Sequence, residues 1–137
     1  MDAGQVKPTL AELASALIAV FEGARLEAYQ DSGGVWTIGR GHTRGVVAGM
    51  VITQAQSDVY FAEDQEALLY AAEKMPTIAG AAYVSFGYDV GRTALIKVLN
   101  GADSLDNPIH TTDRRGVVQP GLVARRALEA LLIAAAS

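Results

Sequence analysis

The sequence predicts an α+β fold with its strands gathered near the N-terminus, and three observations carry that prediction. Thr9 with Glu12 and Thr53 with Gln56 each have capping-box spacing just before a helical run. Between them, residues 26–43 alternate imperfectly around Gly33-Gly34, Gly39 and Gly41, the pattern of a small, tightly turned antiparallel sheet. Beyond Pro76 the periodicity is helical again.

Taken in order, the first helix is expected over about residues 9–22, finishing near Gly23, with Leu10, Leu13, Leu17, Ile18 and Phe21 on its apolar stripe. Short strands follow. After the turn-like RGVVAG, a helix is expected over about 53–75 with Ala55, Val59, Ala62, Leu69 and Ala72 on one face, stopped by Pro76. IAGAAYVSFGYDV predicts a helix ending at Gly91, with Phe86 and Val90 in the core, and TALIKVL a shorter one ending at Asn100-Gly101. NPIHTTDRRGVVQ reads as loop. Pro120 opens a last helix whose buried face is expected to hold Leu122, Leu128, Leu131 and Leu132, with Arg126 exposed.

At 137 residues, half of them hydrophobic, the chain suits one domain with a real core. It has no cysteine, which excludes disulfides, thiolate zinc sites and thiol nucleophiles. His42 and His110 are too few and too far apart for a metal site, so no metal or organic cofactor is expected. The net charge of −4 argues against nucleic acid as partner, although residues 92–126 are locally basic. The uncharged run from Leu13 to Phe21 is too short to span a bilayer, so neither a cleaved leader nor stable membrane insertion is expected.

The chemistry-bearing residues concentrate in FEGARLEAYQDSGGVWTIGRGHT, residues 21–43. Glu22 sits at a helix end among apolar neighbours, where poor solvation favours a neutral carboxyl and makes it a candidate general acid. Asp31, in the polar turn QDSGG, stays hydrated and ionised. Two carboxyls held in different protonation states are what glycoside hydrolysis needs. Thr37 lies six residues after Asp31, on a strand from which its hydroxyl can help Asp31 orient a water. Trp36 is a candidate for stacking on a sugar ring, and His42 for a hydrogen-bonded buttress of the sheet.

Three segments, FEGARLEAYQDSGGVWTIGRGHT, YVSFGYDVG at 83–91 and PGLVARRALEALL at 120–132, together resemble the phage-type lysozymes, the endolysins of the T-even and lambdoid family. Glu22, Asp31 and Thr37 fall on that family's catalytic positions without a gap. The resemblance implies a lysozyme-like domain over 1–137, with a small β-containing lobe at roughly 1–52 and a helical lobe at 76–137. Helix 53–75 would join the two, with a cleft between them. It implies that Glu22 protonates the glycosidic oxygen while Asp31 and Thr37 hold the attacking water. The bond would be the β-1,4 linkage between N-acetylmuramic acid and N-acetylglucosamine in bacterial peptidoglycan, cleaved with inversion. Tyr88, Asp89 and Trp36 would meet substrate, and Arg125 would reach Glu22, with His42 in support. The chain departs from the family in a shortened middle, in Asp89 where an amide is common, and in a 106–116 segment without aromatic residues. The implied protein is a monomer made in the host cytoplasm and released to the wall by a separate membrane-permeabilising protein. Two rival functions remain: a lytic transglycosylase on the same polymer, and a non-hydrolytic lysozyme-like glycan-binding module.

Overall fold

The computed structural model describes residues 6–136; residues 1–5 and 137, on which the reading of no leader partly rests, lie outside the described residues. Helix α1 spans Leu10–Phe21 and opens as its sequence requires: the Thr9 hydroxyl accepts from the Glu12 amide at 3.1 Å and the Glu12 carboxylate accepts from the Thr9 amide at 3.2 Å. Two antiparallel strands follow, β1 (Arg25–Gln30) and β2 (Trp36–Gly39), with Tyr29 opposite Thr37 and Gln30 opposite Trp36. The far edge of β1 is covered by residues 50–52, through Ala28 N–H to the Met50 carbonyl and Ile52 N–H to the Leu26 carbonyl, both 2.9 Å.

Helix α2 (Gln54–Ala72) has the same reciprocal cap at Thr53 and Gln56. Then come α3 (Thr77–Val90), α4 (Arg92–Leu99), a 3-10 turn at Pro108–Thr111 and α5 (Pro120–Ala135). The fold is therefore α+β, with a two-stranded sheet and five α-helices among the described residues. Among those residues no helix is long and apolar enough to cross a membrane.

Two hydrophobic clusters organise the chain. The larger joins Ala14 and Ile18 of α1 to Leu68 and Ala72 of α2, Ala81, Val84 and Phe86 of α3, and Leu95 of α4. Burying each of its large side chains contributes about 2 kcal/mol. Phe86 lies in this core, with Val90 packed against it as expected. Helix α3 runs through the middle and approaches its neighbours closely; a side-chain carbon on Gly87 would lie 2.7 Å from Leu68 and 2.9 Å from Leu95. The smaller cluster, Ile38, Val46 and Ile52, lies under the sheet with Trp36 packed against it.

Two helix faces differ from expectation. On α2 the buried residues are Ser57, Gln65, Leu68 and Ala72, while Val59 is 53% exposed. Polar side chains occupy part of the inward face because they find partners there: the Gln65 amide donates to Ser15 Oγ at 3.1 Å. On α5 the fully buried residues are Arg125, Arg126 and Glu129. Arg126, expected to be exposed, is 4% exposed, and Leu131, expected inside, is 65% exposed. The true inward stripe is Leu122, Arg125, Arg126, Glu129 and Leu132, which has helical spacing only when charged residues are counted in it.

Candidate active site

A cavity of about 860 Å³ opens between the end of α1, the turn after β1, the end of α3, the 112–115 loop and the start of α5, and both Glu22 and Asp31 line it. Glu22 is the C-cap of α1: its amide still donates to Ile18 at 2.8 Å, while its extended backbone turns the chain away from the helix. Its Oε1 accepts from Arg125 Nη1 at 2.9 Å. Its Oε2 lies over Gly41, where an added side-chain carbon would sit 3.2 Å from it and 3.5 Å from the Tyr88 ring.

Asp31 shapes its own turn. Asp31 Oδ1 accepts from the amides of Gly33 at 2.9 Å and Val35 at 2.8 Å, and the Asp31 amide donates to the Val35 carbonyl at 2.9 Å. Gly34 completes the turn at φ 79°, in the left-handed region. No hydrogen bond to Asp31 Oδ2 is present among the described residues, so one carboxylate oxygen is fixed and the other open. Thr37, on β2, is buried and donates its hydroxyl hydrogen to the Val35 carbonyl at 2.9 Å, which leaves its oxygen able to accept. It stands behind the turn, outside the lining of the cavity.

A second turn of the same build faces the first. Asp113 Oδ1 accepts from the amides of Arg115 at 2.8 Å and Val117 at 3.1 Å, its amide donates to the Val117 carbonyl at 2.9 Å, and Gly116 sits at φ 78°. Here Oδ2 is taken as well, by Arg115 Nη2 at 2.8 Å and Gln119 Nε2 at 2.9 Å. The Arg115 bonds, with those of the turn amides, hold the Asp113 carboxyl down at about 2.

Behind Glu22 lies a buried network of charge. Arg125 Nη2 donates to the Ser85 carbonyl at 3.1 Å, Nε to Ser85 Oγ at 3.3 Å, and Nε also lies 3.5 Å from Glu129. Glu129 is wholly buried and accepts from Ser85 Oγ at 2.6 Å. Burial pushes its carboxyl up, against the pull of Arg126, Ser85 and Arg125. Arg126 pairs with Asp89 at 2.9 Å and lies 5.0 Å from the Phe86 ring centre. The guanidinium that meets Glu22 is thus held on three sides.

Of the other sequence candidates, Asp89 lines the cavity, 3.9 Å from Arg125, and Trp36 packs on the small cluster beneath the sheet. Tyr88 is partly buried and donates to the Arg40 carbonyl, while Arg40 Nη1 reaches the Glu22 carbonyl at 3.4 Å. Burial, with Asp64 and Glu22 nearby, pushes the Tyr88 hydroxyl up, so it stays a donor. His42 stands at the sheet rather than in the cavity: Nδ1 meets Asp64 at 2.8 Å, Nε2 meets the Arg44 carbonyl at 2.8 Å, and its ring stacks on Tyr60 at 4.0 Å. The sequence reading missed Arg126, Glu129 and the Asp113 turn. The last carries a signal, since Asp113 to Val117 repeats the D-x-x-G-V pattern of Asp31 to Val35.

A helix-end glutamate on an arginine and an aspartate-capped turn line one cavity of a fold that is lysozyme-like. The phage lysozyme family profile matches residues 19–129, and the chain belongs to that family, one of peptidoglycan-cleaving enzymes. It is 33% identical over 144 residues to an endolysin of Acyrthosiphon pisum secondary endosymbiont phage 1, covering 93% of this chain and 99% of that one. Among solved structures it is similar to an endolysin from Escherichia coli O157:H7 phage FAHEc1, at 33% identity and TM-score 0.70, over 94% of this chain and 95% of that one. It is also similar to the muramidase domain of SpmX from Asticaccaulis excentricus, at 28% identity and TM-score 0.72, over 93% and 98%.

Proposed function

We propose that the protein is an endolysin, an N-acetylmuramidase that hydrolyses the β-1,4 bond between N-acetylmuramic acid and N-acetylglucosamine. The observation that carries this reading is the asymmetry of two of the carboxyls that line the cavity: Glu22 is bound to Arg125 at a helix end, and Asp31 presents one unbonded oxygen from a rigid turn. In this mechanism Glu22 donates a proton to the leaving glycosidic oxygen. Asp31 Oδ2 accepts a hydrogen from a water on the opposite face of the sugar, and Thr37 supports the turn that aims it. The water's oxygen bonds to the anomeric carbon as the glycosidic bond breaks, and Asp31 takes up its proton. Arg125 fixes the orientation of Glu22 and the Ser85–Glu129 pair fixes Arg125. Asp89 meets substrate from the wall on the α3 side; Tyr88, beside Glu22 at Gly41, and Trp36, packed at the sheet, stand outside that lining and would meet sugar beyond it.

The two clusters correspond in this reading to a β-containing lobe and a helical lobe flanking the cleft, with α2 between them. The protein acts as a monomer, reaching the wall from the cytoplasm through a lesion made by another protein. Digestion of purified peptidoglycan by the wild type, Glu22→Gln and Asp31→Asn, read by mass spectrometry of the released muropeptides, tests the proposal. Reducing-end products from the wild type alone are expected, since loss of a general acid costs roughly 10²–10⁴ in rate. Products with a 1,6-anhydro end would replace the hydrolase with a transglycosylase. Absence of products from folded wild type would leave a binding module.

A further inference from the structure

The walls of the cavity carry Glu22, Asp31, Asp89 and Asp113 against Arg114, Arg115 and Arg125. Two of these cations are committed: Arg125 to Glu22 at 2.9 Å, and Arg115 to Asp113 through Nη2 at 2.8 Å and Nε at 3.2 Å. Arg114 has no carboxylate within ion-pairing distance among the described residues. It is nevertheless placed with care, because the Asp113-capped turn fixes the backbone on which it stands. Its guanidinium reaches across to the opposite turn. A side-chain carbon on Gly33 would lie 3.6 Å from Arg114 Nε and 3.4 Å from Asp31 Oδ1, so both groups border one small space over the Gly33 backbone.

An exposed guanidinium on a cleft wall, presented by a hydrogen-bonded turn and without a carboxylate partner among the described residues, is suited to a planar two-oxygen anion. The polymer of the proposed reaction carries such anions as branches, on the lactyl group of its muramyl sugar or on the peptides attached there. We propose that Arg114 forms a carboxylate-binding subsite beside Asp31, which selects strands whose muramyl residue carries an acidic branch and sets where along the strand cleavage falls. This rests on the muramidase reading. It assigns a recognition role to a loop that carries two adjacent arginines, Arg114 and Arg115.

The test measures KM and kcat for the wild type, Arg114→Gln and Arg114→Lys on three soluble glycan strands: with intact peptides, with those peptides' carboxyls amidated, and with peptides removed so that the lactyl carboxylate is free. For Arg114→Gln, KM on at least one carboxylate-bearing strand should rise about three- to fivefold with kcat little altered, the size of a partly exposed ion pair. Arg114→Lys should recover part of the loss. A loss confined to intact peptides places the carboxylate on the peptide; a loss confined to stripped strands places it on the lactyl group. Equal effects on all three strands, or none, would overturn the subsite. A rise in turnover on every strand would overturn it too, and mark Arg114 as an obstruction. Co-sedimentation with insoluble peptidoglycan at rising salt separates this from the hydrolytic reading. Arg114-dependent, salt-sensitive binding without turnover would sink the muramidase and keep the subsite, whereas turnover with Arg114-independent binding and KM would do the reverse.

Discussion

In both the 31–35 and 113–117 turns an aspartate Oδ1 accepts two backbone amides, its own amide closes on the valine carbonyl, and a glycine near φ 79° carries the chain round. They part at Oδ2. Asp113 gives that oxygen to Arg115 and Gln119, while Asp31 leaves it unbonded on the cavity wall. The same five-residue pattern therefore builds a brace on one side of the cleft and a candidate base on the other. What separates them are the residues two and six positions on, Arg115 and Gln119 in one turn, Gly33 and Thr37 in the other: glycine has no side chain with which to claim the carboxylate, and the Thr37 hydroxyl goes to the Val35 carbonyl.

The largest effect that sharpens this comparison comes from two matched substitutions. Asn keeps the Oδ1 acceptor and removes the charge, so Asp31→Asn should leave the turn and the Tm nearly unchanged while kcat on peptidoglycan falls roughly 10²–10⁴-fold. Asp113→Asn should cost less than about tenfold in kcat, as expected of a group outside the reacting atoms. Comparable losses in the two variants would erase the distinction. Next in size is Gly34→Ala against Gly116→Ala. Each forces a side chain into the left-handed region at about 1–2 kcal/mol, so thermal unfolding should show the two destabilised alike, with kcat lowered more at Gly34. Unequal destabilisation would mean the turns are not equivalent.

The smallest effect is on acid stability. Asp113 titrates at about 2, below its ordinary 3.8, so it binds its proton less readily folded than unfolded. Its contribution to stability is complete above about pH 4 and is lost as pH falls through about 2. Arg115→Gln removes the largest cause of that depression, and carboxyl NMR should then show Asp113 titrating closer to the ordinary value, with the 112–118 turn loosening at higher pH. No change in the Asp113 titration would show that the backbone amides and Gln119 hold the carboxylate without Arg115.

The helix starts were legible because capping is local: Thr9 with Glu12 and Thr53 with Gln56 announce themselves within four residues. Glu22, Asp31 and Asp89 around one cavity, and Arg125 on Glu22, were legible through family spacing. The Arg126–Glu129 core was not, because a stripe read from apolar residues alone turns α5 away from its own charges, and those are buried only because Asp89 of α3 and Ser85 meet them. The same logic hid Ser57 and Gln65 on α2. The Asp113 turn was hidden differently: its five-residue pattern is in the sequence, but only the fold sets it opposite its twin.

The measurement that bears most directly on Asp31 is the configuration of the newly formed reducing end, followed by proton NMR in the first moments of digestion before the anomers equilibrate. The proposed role of Asp31, holding water on the sugar face opposite Glu22, predicts the α anomer from the β-linked strand. A β anomer appearing first would make Asp31 a nucleophile rather than a base, and would contradict the account.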